Sequence, residues 1–231
     1  MPFQTEKIIT ADGSHTLFAP QFDEHYHSIH GAIQESQHVF IQAGYGALAV
    51  HLTQVRVLEM GFGTGLNAFL TYLASQKPPC RQVAYQSIEA YPLAYTQAIS
   101  LNYAQQLQQP AQATFFEAMH KAAWNEASNI SPHFELHKHH ADLLQIELPQ
   151  QYFHLVYYDA FAPTSQPELW TAEVFAKLYA AMKYQGILVT YCAKGVVKRA
   201  LKSVGFELQT LPGPPHKREM TRAIKADKPI G

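Results

Sequence analysis

Leu58-Glu59-Met60-Gly61-Phe62-Gly63-Thr64-Gly65-Leu66-Asn67 ends an apolar run that begins at Val55 and opens a stretch of helical spacing that reaches Ala74. Three glycines at alternate positions let the backbone turn sharply and approach a ligand with no Cβ in the way. A strand passing through a glycine turn into a helix is the first unit of an alternating pattern. Further strands are expected over 83–89, 134–138, 153–158 and 186–191. Helices are expected over 92–107, 168–182 and 195–204, with another around 117–125 inside the polar stretch 110–132. Residues 206–211 and 218–224 suit a closing antiparallel pair. Repeated β-α units with near-continuous apolar strands predict an α/β fold, a doubly wound, mainly parallel, Rossmann-like sheet. Upstream, Ile8-Ile9-Thr10 and Thr16-Leu17-Phe18 flank Asp12-Gly13, the signal of a β-hairpin with a tight two-residue turn. Residues 1–50 are therefore expected to form an N-terminal hairpin and following segment, and residues 51–231 the Rossmann-like domain.

Composition bounds the function. The chain has 231 residues, of which 47% are hydrophobic and 15% charged, enough for a buried core and far from a disordered composition. No apolar run approaches the roughly 18 residues of a membrane helix. The first residues lack a basic region followed by an apolar one, so no signal peptide is expected. Two cysteines, Cys80 and Cys192, cannot build a disulfide framework, and the expectation is a cytoplasmic protein. Thirteen histidines show no metal-ligand spacing, so no metal is expected. The formal charge of −1 hides an asymmetry: residues 183–231 hold ten Lys/Arg against three acids, a balance of +7, and residues 1–182 hold seven against fifteen, a balance of −8. A concentrated basic end suits a polyanion-binding face and equally a solvated helix and tail.

In doubly wound sheets the ligand sits outside the carboxyl ends of the strands, at the point where the strand order reverses. The residues that follow each strand carry the site. The first of them read G-x-G-x-G after an acid, not G-x-G-x-x-G, and this resembles motif I of the class I S-adenosylmethionine-dependent methyltransferases. That cofactor has no pyrophosphate but has an amino-acid moiety for which Glu59 is a nearby carboxylate. Glu89, ending the second strand, can accept two hydrogen bonds from ribose hydroxyls, as it also would in a NAD-binding fold. Asp142 is placed for the adenine amino group, and equally for a helix N-cap.

The fourth strand ends in Tyr157-Tyr158-Asp159-Ala160-Phe161-Ala162-Pro163. An acid there, followed by an aromatic and a proline, is similar to the edge on which amino-methylating enzymes face the transferred methyl. An alkylammonium with a pKa near about 10 must lose its proton before its lone pair can attack. A carboxylate such as Asp159 can accept that proton or orient the amine. Phe161 and Tyr191 can line an apolar pocket or stack on a base. A capping Asp159 with core aromatics is the other reading.

These motifs resemble the methyltransferase half of the tRNA 5-methylaminomethyl-2-thiouridine biosynthesis (MnmC) family. The match is carried by Gly61 to Asn67, by Asp159 to Pro163 with Pro167-Glu168-Leu169-Trp170-Thr171, by Thr190 to Gly195, and by Leu211 to Met220. Tyr26-His27-Ser28, with Gly31, Glu35, Ser36, Val39 and Phe40, looks like the family's N-terminal segment. One departure is His216, where the family's Gly-Pro-Pro-Gly-Lys-Arg-Glu usually has glycine. With no FAD-dependent oxidase half, the chain looks like a stand-alone (MnmD-like) form.

The resemblance implies N-methylation of 5-aminomethyl-2-thiouridine at the tRNA wobble position, with S-adenosylmethionine as cofactor. Asp159 would be catalytic. Glu59, Gly61, Phe62, Gly63, Gly65, Asn67, Glu89 and Asp142 would hold the cofactor. Tyr26, Ser28, Phe161 and Tyr191 would meet the substrate base, and Lys194, Lys198, Arg199, Lys202, Lys217 and Arg218 the tRNA phosphates. The base must leave the anticodon stack, so an aromatic-lined cleft is expected. The implied partners are tRNA and a separate FAD-dependent oxidase or the aminomethyl-forming enzymes, with no membrane. Two rivals are an aminopropyltransferase of spermidine-synthase type, disfavoured by the basic end, and a non-catalytic nucleic-acid-binding module, disfavoured by the intact glycine loop.

Overall fold

The computed structural model describes residues 4–226. Residues 1–3 and 227–231, the outer ends of the two expected divisions, lie outside the described residues, as do Asp227 and Lys228 of the charge balance. The N-terminal strands β1 (Glu6–Ile9), β2 (His15–Ala19) and β3 (Glu24–His25) form a small antiparallel sheet. The central sheet comprises β4 (Gln54–Met60), β5 (Gln82–Glu89), β6 (Ala127–Ser131), β7 (Phe134–His140), β8 (Phe153–Tyr158), β9 (Met182–Thr190), β10 (Phe206–Pro212) and β11 (Glu219–Lys225). Its spatial order is β10-β11-β9-β8-β4-β5-β7-β6. The run from β9 to β7 is parallel, while β6 pairs antiparallel with β7, and β11 with both β9 and β10. The chain enters at β4, moves outward through β5 and β7, then returns to β8 on the other side of β4. The order reverses between β4 and β8, and a crevice opens there.

Both faces of the sheet are covered, which is why its strands read as continuous apolar runs. Val55 and Val57 of β4 point into one core, with Tyr85, Phe134 and Tyr157. That face is covered by α1 (Ala32–Ser36), which continues in a π-helical turn to Gln42, by α2 (Leu66–Ser75) and by α5 (Ala113–Lys121). Leu58 and Met60 point the other way, into the core beneath α6 (Ala172–Ala181) and α7 (Gly195–Ser203). Leu17 and Phe40 bring the N-terminal segment into the first core.

The expected elements recur with several differences. The hairpin is present, but Ile9 pairs with His15, so five residues form its turn. Asp12 organises that turn, its Oδ1 accepting from the Ser14 amide (3.0 Å) and Thr10 Oγ1 (2.8 Å). The expected helix over 92–107 is two single turns, α3 (Tyr95–Ala98) and α4 (Tyr103–Gln106). Between them Asn102 turns back to the hairpin, donating to the Gly13 carbonyl and accepting from the His15 amide, each at 2.9 Å. The helix expected at 117–125 begins four residues earlier and ends at Lys121, and β6 is an added polar edge strand. The helix expected at 168–182 starts after a 3₁₀ turn at Pro167–Trp170, where Thr171 Oγ1 accepts from the Val174 amide (3.4 Å). Among the described residues, no helix is long and apolar enough to cross a membrane, and no group of three or more His, Cys, Asp or Glu is poised to hold a metal.

Candidate active site

The glycine loop leaves β4 at the reversal point. Gly61, Gly63 and Gly65 have φ of +85°, +48° and +73°, a region that disfavours any side chain. The Gly61 amide donates to the Ile88 carbonyl (2.8 Å) and the Gly63 amide to Glu89 Oε2 (2.9 Å), so the end of β5 pins the loop. A Cβ on Gly63 would lie 2.9 Å from the Tyr26 ring, and one on Gly65 would lie 2.7 Å from His120 Nε2. The loop is thus clamped between the N-terminal segment and α5. Thr64 completes the clamp: its Oγ1 meets His27 Nε2 at 2.8 Å, and its carbonyl accepts from His120 Nε2 at 3.2 Å. Burial lowers His27 to about 4, against the opposing charges of Glu35 and Asp12. Burial and the adjacent Lys138 lower His120 to about 3. Both imidazoles are neutral at pH 7.

A cavity of about 360 Å³ opens over this loop. Tyr26, Gly61, Phe62, Gly63, Asn67, Glu89, Asp142, Asp159 and Phe161, all expected from the sequence, border it. Gly65 instead caps α2 and faces His120. Glu59 is 1% exposed, sits behind the cavity and does not border it, and neither do Ser28 and Tyr191. Glu89 accepts from the Gly63 amide on Oε2 and from the Tyr91 amide (2.8 Å) on Oε1. Burial raises its pKa, and these two amides oppose the rise. Asp142 Oδ1 accepts from the Leu144 amide (2.8 Å), which makes it the cap of a single turn, with no helix following.

Asp159, immediately after β8, faces the loop. Its Oδ2 accepts from Asn67 Nδ2 at 2.8 Å. Burial, with the Glu35 charge second, pushes its carboxyl up to about 7, against the Asn67 bond and the Lys217 charge. Such a group changes protonation state near neutrality, as a proton acceptor for an amine should. Phe161 packs on Phe22 (centroids 5.0 Å apart) and edge-on to Tyr26 (5.3 Å), forming an aromatic wall. Trp170 Nε1 fixes this segment by donating to the Phe161 carbonyl (2.8 Å), and Tyr191 Oη donates to the Ala160 carbonyl (2.9 Å). Tyr191 therefore braces the backbone beside Asp159 from outside the cavity.

The expected phosphate-facing cations divide. Lys194, Arg199, Lys202 and Arg218 are exposed. Lys198 pairs with Glu219 Oε2 (3.0 Å) and also donates to Thr210 Oγ1 (3.1 Å). Lys217 pairs with Glu35 Oε1 (2.6 Å) and lies 4.3 Å from the centre of the Tyr191 ring, while Glu35 Oε2 accepts from the Ser28 amide (2.9 Å). Lys217 and Ser28 thus tie the C-terminal loop to the N-terminal segment. The His27–Thr64–His120 clamp and Lys138 beneath it were missed by sequence reading. Lys138 Nζ donates to the His120 carbonyl (3.2 Å) and lies over Trp124 and Phe62, and burial lowers it to about 8. His27 lies within the quoted N-terminal motif, but no spacing signals His120 or Lys138.

A family model for S-adenosyl-L-methionine-dependent methyltransferases matches residues 102–226. The tRNA 5-methylaminomethyl-2-thiouridine biosynthesis bifunctional protein MnmC of Cupriavidus metallidurans is 31% identical over 231 residues, covering 94% of this chain and 33% of that protein. Its counterpart in Ralstonia nicotianae is 30% identical over 222 residues, covering 90% and 33%. The chain spans about one third of the length of these curated relatives. The crystal structure of MNMC2 from Aquifex aeolicus aligns with a TM-score of 0.78 at 23% identity, covering 98% of this chain and 71% of that one. Spermidine synthase from Thermotoga maritima aligns with a TM-score of 0.52 at 15% identity, covering 98% and 74%. These two structures share the fold.

Proposed function

The chain belongs to a family of S-adenosyl-L-methionine-dependent methyltransferases, and from that premise we propose that it methylates the exocyclic amine of 5-aminomethyl-2-thiouridine at the tRNA wobble position, giving the 5-methylaminomethyl product. The observation that carries this reading is Asp159: a carboxyl with a value of about 7, held by Asn67 on the wall of a cavity floored by the glycine loop and flanked by aromatic rings. The names of the curated relatives supply the substrate class. An aminopropyltransferase shares the fold alone, and the family match favours methyl transfer over it.

The cavity residues fit the cofactor. The loop offers bare backbone where a side chain would intrude, and Glu89 keeps acceptor capacity for ribose hydroxyls at the end of β5. Gly61, Phe62, Gly63, Asn67 and Asp142 would complete its binding. When bound, S-adenosylmethionine supplies an electrophilic methyl group on its sulfonium. The protein's own contribution is to hold the amine and take its proton. Asp159, ionised, accepts a proton from the substrate ammonium, freeing the nitrogen lone pair. Phe161 and Tyr26 present ring faces and edges to an extruded base and exclude water from the amine. Of the cations expected from the sequence, Lys194, Arg199, Lys202 and Arg218 are exposed and would meet tRNA phosphates. The precursor would come from a separate FAD-dependent oxidase or from aminomethyl-forming enzymes, and the reaction would take place in the cytoplasm.

The test is methyl transfer from labelled S-adenosylmethionine to bulk tRNA carrying the unmethylated aminomethyl group. Label recovered in 5-methylaminomethyl-2-thiouridine after nuclease digestion is the expected result. Aminopropyl transfer from decarboxylated S-adenosylmethionine to a small polyamine, with no label entering tRNA, would move the assignment to the aminopropyltransferase.

A further inference from the structure

Glu59 is the buried acid that the mechanism leaves without a role. It sits on β4 at the alternation of Val55 and Val57, turned away from the Met60 side that borders the cavity. Both carboxyl oxygens are buried and have no hydrogen-bond partner. Its polar neighbours are Ser87 and Tyr85 on β5 and Asn67 on α2, and the other titratable groups facing it are Asp159 and Tyr157. Of these neighbours, Ser87 Oγ, Tyr85 Oη and Asn67 Oδ1 are also buried and unpartnered. The ion pairs formed among the described residues do not include Glu59. An ionised carboxylate with no cation beside it is among the costliest groups an interior can hold, and the nearby Ser87 and Tyr85 hydroxyls and Asn67 amide offset only part of that cost. A protonated one is neutral and brings a donor to a cluster in which Asn67 Oδ1, an acceptor only, is buried and unpartnered.

We propose that Glu59 is a positioning residue carried as a neutral carboxylic acid, which steadies the Asn67 amide from behind and leaves Asp159 as the member of the pair that ionises. Asn67 links the two carboxyls: its Nδ2 donates to Asp159 Oδ2 at 2.8 Å, and its amide neighbours Glu59. Two buried acids on one amide cannot both ionise cheaply, so their environments separate them. Burial, with the Asp159 charge adding to it, holds Glu59 well above the usual carboxylate range, against the opposing pull of Ser87, Tyr85 and Asn67. Its proton stays while Asp159 exchanges its own. The carboxylate therefore does not hold the cofactor's amino-acid moiety, as its place in the motif had suggested. The catalytic consequence rests on Asp159 as the proton acceptor, but the protonation of Glu59 does not.

The test compares Glu59→Gln with the unsubstituted protein by infrared difference spectroscopy, without cofactor or tRNA. At about pH 8.5, above the value of about 7 for Asp159, the variant should lose one protonated-acid carbonyl band above the amide I region. A spectrum that instead loses carboxylate bands overturns the proposal. In the kinetic arm, the acidic limb of kcat/KM should stay put and S-adenosylmethionine affinity should hold within about threefold, because one neutral hydrogen-bonding group replaces another. An ionised Glu59 predicts that the limb moves to lower pH by about one unit or more, since a negative charge beside Asp159 is lost. Collapse of cofactor affinity would return Glu59 to cofactor binding. Should Glu59→Gln not fold, carboxyl-labelled glutamate in a Glu89→Gln background reads the same band, and its absence at about pH 8.5 overturns the proposal. Failure of methyl transfer in the unsubstituted protein would sink the function and leave the infrared result standing.

Discussion

Around the cavity, charge is buried and committed: Asp159 is bound to Asn67, Glu89 to two backbone amides, and Glu35 to Lys217 and the Ser28 amide. Along α7 and the loop joining β10 to β11, Arg199, Lys202 and Arg218 stand in solvent. The two regions respond to perturbation by different rules. In the first, low dielectric makes one charge felt by its neighbours, and protonation states shift. In the second, water and salt screen each charge, and effects add up one phosphate at a time. Lys217 shows that residue type does not decide which rule applies, because it comes from the basic end yet works on the cavity side.

The sharpest test of the buried region is Asp159→Asn, expected to lower methyl transfer by about 10²- to 10⁴-fold with cofactor affinity kept. Stability should move the opposite way. The folded-state value of about 7 lies above the ordinary 3.8, so this group's contribution is fully present below about 4 and is lost as pH rises through 7. Asp159→Asn removes that loss. Its melting temperature should exceed the parent's at about pH 8, with no gain near about pH 4. A variant that is less stable at both and still methylates would make Asp159 a structural cap. Gly63→Asp comes next. At φ +48°, with the Tyr26 ring 2.9 Å from any Cβ and Glu89 bound to its amide, it should weaken cofactor binding by more than about tenfold. Unchanged affinity by calorimetry would take the loop out of the site.

Lys217→Met decides on which side of the comparison that residue stands. Loss of its charge removes a pull that lowers Asp159, so the acidic limb of activity should shift to higher pH. Glu35, 9% exposed in its side chain, loses its partner, at a stability cost of about 1–3 kcal/mol. A change in the salt dependence of tRNA binding with neither of these effects would return Lys217 to the phosphate-facing surface.

How much of this was legible in the sequence follows the same division. The glycine loop, Glu89 and Asp159 could be read because chemistry at strand ends needs particular residues at particular intervals, and near-continuous apolar runs locate those ends. The direction of Glu59 could have been read too, since it shares its alternation with Val55 and Val57 and not with Met60. Other features depended on partners distant in the chain. Asn102 breaks a helix by bonding a hairpin that lies 87 and 89 residues away. His120 fills the space beside Gly65, and Lys198 and Lys217 find acids 21 and 182 residues away. No local pattern encodes such pairings.

For the exposed region, Arg199→Ala and Lys202→Ala should each lower the log–log salt slope of tRNA binding by about one unit, leaving cofactor affinity unchanged. Lys198→Ala should do less, because its ammonium is already held by Glu219. Equal slopes for all three variants would erase the distinction drawn between paired and free cations. A slope unmoved by any of them would leave this helix face merely solvated.

The smallest effect tests the boundary between the two regions, at His216. Its φ of +68° lies in the left-handed region that favours glycine, and its ring stacks on His30 with centroids 4.0 Å apart. A side chain in that conformation costs about 1–2 kcal/mol, while glycine costs about 0.5–1 kcal/mol in unfolded-chain entropy. The stack joins two exposed rings, so little stability is lost with it. His216→Gly should therefore stabilise the fold by no more than about 1 kcal/mol, read as a small rise in the denaturant midpoint at constant m. The Lys217–Glu35 pair next to it should keep the acidic limb of activity where it was. A fall in the midpoint would mean that the stacked imidazoles, not the backbone, hold the C-terminal loop to the N-terminal segment. A shift of the acidic limb would mean that the loop positions Lys217 through His216, which would place this exposed histidine on the buried side of the comparison.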